Sequence, residues 1–314
     1  MLEVQKYTID KKNDWDHFVS NAKNGTFLFY RDYMEYHADR FEDYSLMIYS
    51  KNKLVALLPA NVVGDTVYSH QGLTFGGIIL NNKFHYQDAL YYLNSVTRFL
   101  NFSHIKILAL KIPPYFYAKN LSQDLNLLIL RNKIFSTKIT LGAAINTYDY
   151  TFPKRCVRQN KLDMYDIIFD YNLDSYWDIL NTNLKERHDS KPVHNLEEIQ
   201  KLKNNFPKNI QLLSLKNSKT DKVDAGALIY LSDNIAKVQY FATTTEGRSN
   251  RASDVLYYNI IKHYKMTCQF IDFGTCEEGD NRINMQLLET KEKFGANTFP
   301  IYSHQLETKN TLTL

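Results

Sequence analysis

The stretch from Ile235 to Gly295, IAKVQYFATTTEGRSNRASDVLYYNIIKHYKMTCQFIDFGTCEEGDNRINMQLLETKEKFG, constrains the fold more than any other part of the chain. It reads as strand, polar loop, helix, strand, turn, helix. Ile235 to Ala242 is dense in β-branched and aromatic residues, Thr243 to Asn250 carries no apolar side chain, and Leu256, Ile260 and Tyr264 recur at helical spacing. α/β proteins seat phosphates where a strand feeds a helix through a polar loop. The first helical turn there leaves backbone N–H groups unpaired and carries the positive end of the helix dipole. The stretch is therefore the candidate donor site.

The same order occurs earlier in the chain. Leu46 to Ser50, Leu54 to Val63 and Thr66 to His70 read as a meander of three strands, with turns at Lys51 to Lys53 and at Gly64-Asp65. A loop from Gln71 to His85 with Gly72, Gly76 and Gly77 follows, then a helix from Tyr86 to Phe102 and a strand from Ile105 to Leu110. In the second half the three strands are Gln211 to Leu215, Asp224 to Leu231 and Ile235 to Ala242, followed by loop, helix and the strand Cys268 to Phe273. Strand count, hairpin placement and helix length agree together, which points to a duplication of element order without residue identity. Two short aromatic-rich helices, Asp14 to Lys23 and Arg31 to Ala38, precede the first copy. A helix from Asp174 to Leu184 and a second one starting at Asn195, with Glu198 three residues on as a capping box, precede the second copy. Tyr115 to Tyr150 carries no clear pattern, and the basic segment Phe152 to Lys161 suits a linker.

A length of 314 residues fits two domains, placed at 1–150 and 151–314. The fold class expected is α/β with mixed sheets, in two tandem copies. A hydrophobic fraction of 44% beside 23% charged residues is enough to bury a core in each. The start lacks an apolar signal region, and no run approaches the roughly 18 apolar residues of a membrane helix, so a soluble cytoplasmic protein without membrane insertion is expected. Cys156, Cys268 and Cys276 show neither paired nor CxxC spacing, so no disulfide framework and no metal site is expected. The net charge of +4 is spread along the chain; it suits an anionic substrate and does not signal DNA. There is no G-x-S-x-G elbow, H-E-x-x-H or Walker loop.

Helices, an antiparallel meander, then strand, loop, helix, strand and a closing helix form an order that resembles the GNAT acyltransferase fold. Two copies in one chain resemble the FemAB-like group, whose familiar members add amino acids to peptidoglycan precursors. The likeness rests on SHQGLTFGG at Ser69 to Gly77, KVQYFATTTE at Lys237 to Glu246, and FIDFG followed by N-x-Q-L-L-x-x-K-x-x-F-G within Phe270 to Gly295. The chain departs from that pattern in two places. The donor loop reads TTEGRSNRAS with Gly247 alone, where acetyl-CoA users carry Q/R-x-x-G-x-G/A. Thr290-Lys291 stands where the group has Phe-Lys.

The resemblance implies direct transfer of an acyl or aminoacyl group to an amine, without a covalent intermediate. The donor would be an acyl-CoA such as acetyl-CoA, or an aminoacyl-tRNA. The acceptor would be a nucleotide-linked sugar, a peptidoglycan precursor or another amine. Transfer of this kind needs a neutral nucleophile, a polarised carbonyl and a route for the released proton. The carbonyl would be polarised by backbone N–H groups near Tyr240 to Ala242. Lys291 is the first candidate for a side-chain role, as a cation that stabilises the oxyanion; the plainer alternative is a solvated lysine beside Glu292 and Lys293. Asp272 would take a proton or orient the amine, or else cap the turn at Gly274. His70 would act as a base or acceptor contact. Thr244, Gly247, Arg248, Arg251 and Ser253 would hold the donor's phosphates with Tyr240 and Ala242. Ser69, Gly76, Arg155, Arg187 and His188 are the expected acceptor contacts, with Arg158 and Lys161 as further basic groups in the linker.

Overall fold

The computed structural model describes residues 2–119, 123–132, 135–154, 156, 162–278 and 282–313. Two compact units divide the chain, residues 1–140 with 300–314 and residues 141–299.

In the second unit five strands, Tyr165–Phe169, Ile210–Asn217, Val223–Ser232, Ile235–Thr243 and Phe270–Thr275, lie side by side in that order. Residues 142–146 of the strand Phe135–Asn146 pair with the last of them. All neighbours run antiparallel except Ile235–Thr243 and Phe270–Thr275, which are parallel. A parallel pair needs a crossover, and the helix Ala252–Tyr264 supplies it. Its Val255, Leu256, Ile260 and Ile261 pack into a core with Leu213, Leu215, Ala225, Ala227, Ile229 and Ile271. Fully burying each such aliphatic side chain contributes about 1.5–3 kcal/mol. The helix starting at Asn195 has the expected capping box, in which Asn195 Oδ1 accepts from Glu198 N and Glu198 Oε2 accepts from Asn195 N, both at 2.8 Å.

The first unit holds two sheets. Leu2–Lys6, Leu46–Ser50, Lys53–Leu58 and Ile79–Leu80 form one. Glu42–Asp43, Asn61–Val63, Thr66–Tyr68 and Ile107–Ile112 form the other, completed by residues 302–307 of Asn297–Glu307. Thr66–Tyr68 and Ile107–Ile112 are the parallel pair here, joined by the helix Tyr86–Phe102.

Several expected elements differ. The single strand Leu54 to Val63 breaks at Pro59, which has no N–H to give a ladder, so Lys53–Leu58 and Asn61–Val63 belong to different sheets and the meander becomes two hairpins. The third strand ends at Tyr68 because His70 takes a left-handed backbone, φ 69°. Arg31 to Ala38 is a single α-turn, Arg31–Met34, followed by 3-10 geometry at Glu35–His37. The unpatterned region holds a helix, Asp124–Arg131, and the twelve-residue strand Phe135–Asn146. Among the described residues no helix is long and apolar enough to cross a membrane, and no group of three or more His, Cys, Asp or Glu side chains is placed to hold a metal ion.

Candidate functional site

The parallel strands of the second unit are in register for only three pairs, Ile235 with Phe270, Ala236 with Ile271 and Lys237 with Asp272. Immediately afterwards the ladder between Ile235–Thr243 and its other neighbour slips by one residue at Gln239, between the pairs Leu228–Tyr240 and Ile229–Val238. A bulge of this kind bends a strand and increases its twist, and past it a cavity of about 510 Å³ lies between the two strands. Its walls are Val238, Gln239, Phe241 and Thr243 on one strand and Phe273 and Thr275 on the other. Leu180, Asn183 and Leu184 line it from the helix Leu173–His188, Ser253, Asp254 and Tyr257 from Ala252–Tyr264, and Thr290 and Lys291 from Met285–Lys293. Part of the lining is aromatic. The Tyr257 ring stacks on Phe241 at 4.6 Å and on Phe294 at 5.2 Å, and meets Phe273 edge-on. The remainder is amide, hydroxyl and amine.

Lys291 is 2% exposed. Its Nζ donates to the carbonyls of Thr275 at 2.7 Å and Gly274 at 3.2 Å, and to Cys276 Sγ at 3.4 Å. An ammonium has three N–H donors, and these three acceptors at the end of one strand receive them. Burial lowers the Lys291 pKa below the usual lysine value; Cys276 and Asp272 oppose that shift, and the nearby Lys237 cation adds to it. Asp272 is wholly buried. Its Oδ1 accepts from Gly274 N at 2.7 Å, holding a turn in which Gly274 has φ 71°, and its Oδ2 stands 3.4 Å from Lys237 Nζ.

The expected phosphate loop is wound up. Thr245–Ser249 forms a short helix, and Thr244 caps it by accepting from Gly247 N at 2.9 Å. Arg248 folds back, donating to the Thr243 carbonyl at 3.0 Å and to Thr245 Oγ1 at 2.8 Å. Arg251 is exposed, with φ 60°, directly before the helix Ala252–Tyr264. The backbone here reached helical geometry because a threonine, a natural cap, precedes it. Of the expected donor residues Ser253 lines the cavity; Ala242 is buried, and the Tyr240 hydroxyl bonds to His194 Nδ1 at 2.7 Å, with Trp177 edge-on to the ring. Burial pushes the Tyr240 phenol up to about 12.

Ser69, His70 and Gly76 belong to the first unit. Ser69 and His70 line a cavity of about 360 Å³ there with Tyr68, Lys111, Lys138 and His304. The His70 ring lies parallel to His37, centroids 5.0 Å apart, and its Nδ1 accepts from Gly72 N at 3.3 Å, which leaves its proton on Nε2. Burial drives His70 down to about 3 and His37 to about 4, so both rings are neutral near pH 7. Arg155, Arg158 and Lys161 lie outside the described residues. Arg187 and His188 fall in the helix Leu173–His188, with side chains outside the described set. Sequence reasoning missed Tyr257, Phe241 and Gln239. Gln239, one of two polar residues in the run Ile235 to Ala242, was the only trace of the bulge. Lys237, the other, was missed too, although it and Asp272 were visible as charges in two mostly apolar strands.

No known protein family matches this sequence, and neither does any curated protein. Among solved structures the chain is similar to FemX, at 11% identity and TM-score 0.68 over 96% of each chain. It is also similar to L-PGS from Bacillus licheniformis, at 11% identity and TM-score 0.56 over 96% of this chain and 93% of that one. A third is a tandem GNAT protein from the clavulanic acid biosynthesis pathway, at 8% identity and TM-score 0.51 over 98% and 99%. The chain has the FemAB-like fold, two GNAT-like domains in tandem.

Proposed function

We propose that the protein is a cytoplasmic N-acyltransferase that passes an acyl or aminoacyl group to an amine of a nucleotide-linked sugar, a peptidoglycan precursor or a surface-polysaccharide amino sugar. One observation carries this reading: two parallel strands separate around a bulge and enclose a cavity on whose wall a buried lysine sits. The likeness in fold to FemX, to L-PGS and to a tandem GNAT protein supports it.

The donor would bring an acyl group already activated, as the thioester of an acyl-CoA or the ester of an aminoacyl-tRNA. Ser253, Arg248 and Arg251 are the residues available to hold its charged part, and Phe241, Tyr257 and Phe273 offer its apolar part a dry wall. Backbone N–H groups of the bulged strand would polarise the carbonyl as charge develops on its oxygen. Lys291 lends a positive charge at the cavity wall. Its weakest bond, to the Cys276 sulfur, is the one most easily exchanged for that oxygen. The neutral amine attacks the carbonyl carbon directly and forms the amide bond; the C–S bond of the thioester or the C–O bond of the ester breaks, the amine's proton passes to a neutral base, and the donor's thiol or hydroxyl leaves protonated. Arg155, Arg187 and His188 of the second unit are proposed to contact the acceptor.

A second reading, a binding module without turnover, is favoured by one observation: the three N–H groups of Lys291 already have acceptors in the strand end. A thermal-shift series with acetyl-CoA, longer acyl-CoAs, nucleotide-linked amino sugars and aminoacyl-tRNA tests both. A ligand at one hundred times its dissociation constant adds about 2.7 kcal/mol of stability. Stabilisation by none of the four classes would remove the transferase reading. With a donor in hand, Lys291→Ala is expected to slow transfer by about 100-fold or more; transfer at the parental rate, with the donor still bound, leaves the lysine out of the reaction.

A further inference from the structure

Behind the cavity wall of the second unit a chain of contacts leads to Lys291. Lys237 and Asp272 are the last registered pair of the parallel strands, 9% and 0% exposed, and their ammonium and carboxylate face each other at 3.4 Å. The same carboxylate takes the N–H of Gly274 and bends the chain there through φ 71°. A Cβ on Gly274 would stand 3.5 Å from Lys237 Nζ, so the lysine head lies against the turn itself. From that turn the carbonyls of Gly274 and Thr275 reach Lys291. The order Lys237, Asp272, Gly274, Lys291 thus joins two buried amines through one carboxylate and one turn.

We infer that Lys237 is a positioning residue for Lys291: it fixes, through Asp272, the turn whose carbonyls hold that amine. This rests on Lys291 being the working side chain of the proposed transfer. The nearby Lys237 charge disfavours the protonated state of Lys291, and the Asp272 carboxylate tempers the effect. Among the described residues the titratable groups acting on Lys291 are Cys276, Asp272 and Lys237. Asp254, on the helix packed against the cavity, is engaged by Lys293 at 2.7 Å. Lys291, its pKa lowered by burial, releases its proton more readily than a solvated lysine does.

The ionisation of Lys291 can be followed without any substrate, by 13C NMR of protein labelled at lysine Cε, with the Lys291 signal assigned by its absence from Lys291→Arg. In Lys237→Met the titration midpoint of Lys291 is expected to rise by about half a unit or more, and in Lys237→Arg, which keeps the charge, to stay near the parental value. Asp272→Asn is expected to lower it. Where Lys237→Met fails to give a dispersed spectrum, the Asp272→Asn shift decides. A midpoint that moves in neither folded variant overturns the inference. A midpoint that moves while Lys291→Ala transfers normally upholds the coupling and instead removes the functional reading of Lys291.

Discussion

The two parallel strand pairs begin alike and end differently. In each unit three residues pair in parallel register, Thr66–Tyr68 with residues 107–109 and residues 235–237 with 270–272. In the first unit the seam is then closed. Ser69 N donates to Ala109 O at 2.8 Å, Lys111 N donates to Ser69 Oγ at 3.0 Å, and Gly76 N donates to Lys111 O at 2.8 Å. In the second unit the strands part around the slip at Gln239 and enclose a cavity with an aromatic wall. A duplicated frame therefore does not duplicate a site. One serine, one glycine and one bulge decide which copy has room between its strands.

The closed seam is the easiest half of this contrast to break. A Cβ on Gly76 would stand 1.5 Å from the Ser69 carbonyl oxygen, which nothing short of backbone movement relieves. Gly76→Ala is expected to cost about 4 kcal/mol or more, measured by urea denaturation. A loss below 1 kcal/mol would mean that the seam is not rigid.

Acid should separate the units next. His37, His70 and His304 of the first unit have folded-state values of about 4, 3 and 4, below the unfolded value near 6.5. A histidine with a depressed folded value binds fewer protons when folded. Its contribution is therefore complete above about pH 6.5 and is lost as the pH falls toward 4 and below. The first unit is expected to lose on the order of a few kcal/mol over that window. In the second unit the exposed His263 is lowered as well. Hydrogen exchange at pH 7 and pH 4.5 should show the protection of residues 46–112 falling before that of residues 210–275. Equal loss in both would refute the assignment.

The smallest expected effect is that of Ser69→Ala, which takes the acceptor from the Lys111 amide. About 1–2 kcal/mol of stability should go, and a chemical denaturation midpoint equal to that of the parent would show that water replaces the hydroxyl.

Much of this frame could be read from residue pattern, because alternation and helical spacing are local properties. The helix Tyr86–Phe102 and the Asn195 capping box were found at their positions, and the duplicated order was visible from strand and helix lengths. What could not be read depends on residues far apart in sequence. Phe135–Asn146 looked unpatterned because its first half is polar and partly exposed while Ala143, Ala144 and Ile145 are buried by the strand at 270–275. The polar stretch after Thr243 looked like an open loop because its residues suit loops, yet a threonine cap and the Asp224 carbonyl, accepting from Thr244 N at 2.8 Å, wind it into a helix. The buried setting of Lys291 could not be read from its neighbours in sequence. Its burial depends on the carbonyls of residues 274 and 275, which no side-chain pattern announces.

The last strand of each unit comes from the opposite half of the sequence: residues 302–307 complete the strand Ile107–Ile112, and residues 142–146 complete Phe270–Thr275. During synthesis the first unit must therefore wait, its edge at Ile107–Ile112 open, until nearly all of the second has been translated. An unpaired edge held open for that time invites wrong partners, and closing it spans most of the chain, which slows folding. A ribosome-bound chain stopped near residue 299 should for the same reason carry an incomplete first unit, and a separate peptide of residues 297–313 should be able to finish it.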